Sequence, residues 1–176
     1  GRFDPGLLYY APQGWASDDS DAIERLKIQY GTSMCYPISS IGAHVSVVPN
    51  HQVFRNTPLH TRANVAYFGT FGYELDLNKL TEEEQEKVKA QIAFMKEHRE
   101  VLQFGTFYRL KSPFEGNITC WMTVSEDKTE AVVGWYRTLS HVNMPYTRVR
   151  LEGLDPELCY ENKETKEIFF GDELMN

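Results

Sequence analysis

A chain of 176 residues has room for one ordinary domain, or for one domain and part of another, and its 41% hydrophobic and 24% charged content is that of a folded globular protein, which argues against disorder. A formal net charge of −7 argues against a general affinity for nucleic acid or for an anionic membrane, since both need surplus Lys and Arg. No apolar run nears the roughly 18 residues of a membrane span, and Cys35, Cys120 and Cys159, widely spaced and without a C-x-x-C pair, read as reduced thiols of a cytoplasmic protein.

In chain order, Leu7 to Tyr10 make a short apolar segment between Asp4-Pro5-Gly6 and Pro12. An acidic loop follows, with Trp15, Ser17, Asp18, Asp19, Ser20 and Asp21, and it runs into a helix. Ile23, Leu26, Tyr30 and Met34 recur on one face of a 3.6-residue period. Ser17, Asp18, Asp19 and Ser20 all suit an N-cap, so the start is marked while the capping residue stays open. Pro37 requires this helix to stop. Residues 43–48 are a β-branched run closed by Pro49-Asn50. Thr57-Pro58-Leu59 then opens a second helix, with Thr57 as cap, Pro58 at the first helical position, and Leu59, Ala63 and Ala66 as a modest apolar face with Val65 beside them. Residues 71–77 read as another strand. Thr81-Glu82-Glu83-Glu84 is a capping box, and it begins one long helix with Val88, Ile92, Met95 and Leu102 on one face.

Near residue 105 the period falls from 3.6 to 2. Ile118, Cys120, Met122 and Val124 alternate with outward residues, Glu126-Asp127-Lys128 turns the chain, and residues 131–136 return. Residues 146–151 and 168–170 read as further strands. The fold class expected is therefore α/β followed by all-β: an α/β layer or barrel over residues 1–104, and an antiparallel sandwich over residues 105–176. Each half is incomplete, since two or three strand–helix units cannot close an eight-stranded barrel and four or five strands make a partial sandwich. The chain opens without an initiator Met and reads as a piece of a longer protein.

Three carboxylates behind a Trp exceed what a helix cap needs. A metal site would want converging oxygen or imidazole ligands; His44 and His51 are the only helpers, and no D-x-D-x-D-G loop or H-E-x-x-H is present. No metal or other cofactor is implied. A phosphate site would want a Gly-rich loop without local negative charge. The remaining use is acid/base work on a glycosidic bond, in which one carboxylic acid protonates the leaving oxygen and a second carboxylate acts from the other side of the sugar. Asp18 and Asp21 share one turn and cannot flank a bond, so at most one of them is catalytic. Trp15 suits this use, because sugars pack their C–H faces on aromatic rings.

Gly1-Arg2-Phe3-Asp4-Pro5-Gly6 and the run from Trp15 to Gly31 resemble the α-galactosidases of glycoside hydrolase family 36. Gly42-Ala43-His44-Val45-Ser46, Pro49-Asn50-His51-Gln52, the run from Phe68 to Leu77, and Gly171-Asp172-Glu173-Leu174-Met175-Asn176 are similar to that family too. The resemblance implies the C-terminal third of a (β/α)8 TIM barrel followed by the first part of an antiparallel β-sandwich. It implies hydrolysis, with retention, of terminal α-1,6-linked galactose from oligosaccharides such as melibiose and raffinose, in an enzyme that forms a homo-oligomer, a tetramer. It puts the general acid/base on Asp18, places Trp15 beside the sugar, and leaves loop or capping roles to Asp19 and Asp21. The nucleophile of the family sits in a Lys-Trp-Asp-Met-Asn motif that these residues do not contain, so the chain alone is expected to be inactive. Two other readings are a transglycosylase of the raffinose-synthase lineage and a non-catalytic carbohydrate-binding or structural piece.

Overall fold

The structure, a computed structural model, describes residues 4–176, so the Gly1-Arg2-Phe3 start of the first motif lies outside the described residues. The chain divides into two compact units, one ending at Gln103 and the other Phe104–Asn176.

In the first unit strands and helices alternate. Asp4 caps a 3-10 turn, Pro5–Tyr9. Gly14 makes a one-residue parallel bridge to Ile41. Then come α1 (Ala22–Thr32), β1 (Gly42–Ser46), α2 (Leu59–Ala66) and β2 (Thr70–Glu74). β1 and β2 pair in parallel, from Gly42 against Thr70 to Ser46 against Glu74. Gly14, β1 and β2 are thus successive parallel neighbours with a helix in each connection, the arrangement that lets a sheet bury both faces. Ala43 and Val45 are fully buried, as are Leu26 of α1 and Ala63 and Val65 of α2.

The details depart from the sequence pattern at four places. α1 ends at Thr32, so Met34 falls beyond it and is exposed, and Ile23 is only half-buried. The buried face is Ala22, Arg25, Leu26, Gln29 and Tyr30. Two of these are polar and hydrogen-bonded, and a pattern of apolar residues passes over them. α2 starts with Pro58, not Thr57, in the capping position and without a side-chain cap bond. Thr57 instead gives its carbonyl to Arg62 Nε at 2.9 Å. β2 stops at Glu74, because the Asp76 side chain accepts from the Asn78 amide and begins a 3-10 turn, Leu77–Lys79. The capping box of Thr81 and Glu84 forms, but the single long helix is two, α3 (Glu82–Glu97) and α4 (Arg99–Phe104). His98 leaves the helix at ψ 13° with its ring 4.5 Å from that of Phe94, a break that no Pro or Gly announces.

In the second unit β3 (Thr106–Lys111), β4 (Ile118–Val124) and β5 (Ala131–Arg137) form an antiparallel sheet in that order. β3 gives a weak sequence signal because Arg109 and Lys111 break up its apolar residues, and its register slips between those two. Met122 and Val124 pack with Leu154, Leu151, Tyr160 and Leu174 on one face. On the other, Trp121 is fully buried, its ring 6.0 Å from Phe107 and 5.2 Å from Tyr136. A hairpin of β6 (Cys159–Glu161) and β7 (Ile168–Phe170) leads into the short α5 (Gly171–Met175). Residues 146–151 are not a strand: alternation there meets no partner ladder, and Leu151 N–H donates alone to the Leu174 carbonyl at 2.9 Å.

The three cysteines are free, Cys35 and Cys159 exposed and Cys120 buried in β4. Burial pushes the Cys120 thiol up from 9.0 to about 11. An aromatic disulfide reagent at pH 8 is expected to modify two thiols of the native chain and the third only after denaturant is added. Simultaneous loss of all three would contradict the packing of β4. Raising the pH from 9.0 toward about 11 favours the unfolded chain, because the fold retains a proton that the unfolded thiol releases.

Candidate active site

The turn from Ser17 to Asp21 follows the Gly14 bridge and precedes α1. It is a strand-to-helix loop, on the side of a parallel sheet where α/β folds build their sites. Its three carboxylates have three different fates. Asp21 is only 2% exposed and is the true N-cap: its Oδ2 accepts from the amides of Ile23 at 3.0 Å and Glu24 at 3.1 Å, and it pairs with Arg55. Arg55 also reaches Glu24, at 3.3 Å. Asp19 Oδ1 accepts the Asp21 amide at 3.0 Å, and Ser17 Oγ accepts the Asp19 amide at 3.1 Å. Ser17 and Asp19 therefore close consecutive side-chain turns on the backbone two residues ahead. The loop is fastened at its end as well, since Ser46 Oγ donates to the Ser20 carbonyl at 3.0 Å and Asn50 reaches Ser20 Oγ at 3.4 Å. Asp18 is exposed, and its carboxylate makes no hydrogen bond among the described residues.

Trp15 is 38% exposed and stands three residues ahead of Asp18. Its ring packs against His44 of β1, centroids 4.7 Å apart, and a Cβ on Gly42 would lie 2.8 Å from its Cε3. Gly72 of β2 leaves the same kind of room under His44, where a Cβ would lie 2.8 Å from the ring. The Trp15 ring can lie here because Gly42 carries no side chain beneath it, and the His44 ring because Gly72 carries none. His44 is half-buried, and burial lowers its pKa; Glu74 opposes this and Arg25 adds to it. It is a neutral ring at neutral pH. His51, the other histidine considered for a site, is exposed in the loop after β1 and makes no part of this cluster. Under Trp15 lies Arg25 of α1, 3% exposed, its Cζ 5.4 Å from the ring centroid. Burial lowers its pKa to about 10, against the opposing charges of Asp19 and Glu74, which leaves it charged at neutral pH.

Trp15 and Asp18 line one cleft of about 360 Å³, together with Leu7, Leu8, Gln13 and Ser17. That volume is within the roughly 300–1,000 Å³ of small-molecule sites. Asp4 also lines the cleft; its Oδ1 accepts the Gly6 amide at 2.9 Å, so it is partly committed to its cap. The sequence pattern points to Asp18 and Trp15, and to His44 only as a helper for a metal, but not to Asp4 or Arg25. Asp4 could have been found from the cap signal Asp-Pro-Gly, whereas no pattern in the chain marks Arg25. Among the described residues no three His, Cys, Asp or Glu side chains gather to hold a metal ion. The arrangement offers a ligand a flat aromatic face and, beside it, a carboxyl group free to exchange a proton with a ligand oxygen.

Residues 1–105 match the family described as Melibiase, and residues 118–176 match the Glycosyl hydrolase family 36 C-terminal domain. The chain is 59% identical to α-galactosidase AgaA of Geobacillus stearothermophilus, over 99% of this chain and 24% of that protein. It is 53% identical to an α-galactosidase of Lactobacillus acidophilus, over 100% of this chain and 24% of that protein. It therefore spans about a quarter of the length of the curated relatives it matches. The crystal structure of AgaA superposes with a TM-score of 0.96 at 58% identity, over 99% of this chain and 24% of that one. The mixed helix and strand fold described above is thus shared with α-galactosidase structures. Variants of AgaA have been solved in complex with raffinose and with stachyose.

Proposed function

Since the chain belongs to the melibiase family of glycoside hydrolases, family 36, we propose that it is part of a retaining α-galactosidase that removes terminal α-1,6-linked galactose from oligosaccharides of the raffinose type. Residues 1–104 are then the C-terminal third of a (β/α)8 barrel, and residues 105–176 the opening part of an antiparallel β-sandwich. The parallel pairing of Gly14, β1 and β2 supports the first assignment, and the antiparallel sheet of β3, β4 and β5 the second. The oligosaccharides bound to AgaA support the substrate class. The full-length enzyme is a homo-oligomer, as its family suggests.

Asp18 is the general acid/base. In the first step its carboxylic acid gives a proton to the glycosidic oxygen while a second carboxylate, carried by a segment outside these 176 residues, attacks the anomeric carbon from the opposite face. In the second step ionised Asp18 takes a proton from the water that hydrolyses the glycosyl-enzyme, and configuration is retained. Trp15 lines the galactose pocket. The observation that carries this reading is the division of labour in the turn: Asp19 and Asp21 are engaged by backbone amides, and Asp18 alone of the three is left to the cleft. Following raffinose hydrolysis by the intact protein with proton NMR is expected to show α-galactose before mutarotation. First appearance of the β-anomer, or no release of galactose, would overturn the proposal.

A further inference from the structure

Arg25 carries a full charge in the interior of the first unit, and among the described residues it forms no salt bridge. Burial of a charge is costly unless hydrogen bonds take its place. Here they do, and their direction is informative. Nη1 donates to the Ser17 carbonyl at 3.4 Å, Nη2 to the Gly42 carbonyl, and Nε to Gln29 Oε1 at 3.3 Å, while Cζ lies over the Trp15 ring, 5.4 Å from its centroid. One planar cation therefore holds the residue before Asp18, the strand behind Trp15, and Trp15 itself. A leucine would fill the same space without these links, and a lysine could not span both carbonyls at once.

We propose that Arg25 is a positioning residue that sets the reach of Asp18 toward the leaving oxygen and the tilt of Trp15 against the sugar; this rests on the reading of Asp18 as the acid/base. Arg25 does not line the cleft, so it acts through the peptide at Ser17 and the ring at Trp15. A misplaced acid penalises a substrate in proportion to its need for a proton. Sugar alcohols are poor leaving groups and need it, whereas a dinitrophenolate leaves without help.

The test compares rates of the intact protein and its Arg25→Lys variant on raffinose and on a dinitrophenyl α-galactoside, with Asp18→Asn as reference. Arg25→Lys is expected to lower kcat/KM on raffinose roughly tenfold or more, and on the aryl galactoside less than about threefold, within the roughly 10²-fold that misplacement of a reacting group can cost. The ratio of the two rates is read on the active molecules alone, so partial unfolding lowers both and leaves it unchanged. Arg25→Gln, which keeps one donor and loses the charge, should move the ratio further in the same direction. Equal losses on both substrates, or none, would overturn the inference. If Asp18→Asn itself shows no preference for the aryl substrate, the acid/base reading fails with it; if Asp18→Asn shows it and the Arg25 variants do not, only the positioning role fails.

Discussion

Asp18→Asn in the intact protein is expected to slow turnover of raffinose by roughly 10²–10⁴-fold, the usual worth of a positioned acid/base, while the folded state is retained. The physical case is the isolation of this side chain. Its carboxylate is exposed and accepts no hydrogen bond among the described residues, so exchanging an oxygen for an amide nitrogen disturbs no cap, turn or ion pair. Asparagine keeps the shape and removes the proton transfer. Steady-state rates and a thermal unfolding curve on the same preparation decide the matter: the rate should collapse while the transition stays within about 0.5 kcal/mol of the parent, the range of a surface substitution. Unchanged turnover would reject Asp18 as the proton donor. A large loss of stability would reassign it to the scaffold that Asp21 supplies.

Trp121→Ala in the 176-residue chain is expected to cost about 3–5 kcal/mol. Trp121 is fully buried in the central strand β4 between Phe107 and Tyr136, so truncation loses the transfer free energy of an indole and leaves a cavity that two flanking rings cannot fill without moving. Trp135 supplies the control on the neighbouring strand. It is 42% exposed with Arg137 stacked 4.7 Å above it, and Trp135→Ala should cost about 1 kcal/mol or less. Urea denaturation of both variants checks the contrast. Similar costs would mean that the two faces of β4 and β5 are buried otherwise than described.

How much of this was legible beforehand depended on where the determining atoms lie. Local hydrogen-bond chemistry was readable in part: Thr81 and Glu84 form their capping box, and α1 starts where its polar run placed it, although its cap is Asp21 and none of the candidates Ser17, Asp18, Asp19 and Ser20. The apolar residues of α2 are buried as their spacing required. What failed was set by neighbours distant in sequence. Arg25 and Gln29 are turned inward because the Gly42, Val65 and Phe68 carbonyls need donors, and this rotates α1 away from the face that Ile23 and Met34 suggested. Residues 146–151 alternate like a strand but find no strand to pair with. At the candidate site, the two residues that a long motif singled out, Asp18 and Trp15, line one cleft, whereas Arg25, hidden within that motif as one more polar helix residue, carried no signal.

Gly42 and Gly72 lie behind the wall of the cleft, under Trp15 and under the His44 ring that packs on it. A Cβ on Gly42 would lie 2.8 Å from the Trp15 ring and one on Gly72 2.8 Å from the His44 ring, closer than two carbons pack, so neither position has room for a side chain. The placing of Trp15 in the cleft is thus governed by omission: a methyl on Gly42 would displace that ring directly, and one on Gly72 would displace the His44 ring packed against it, with no lining residue exchanged for another.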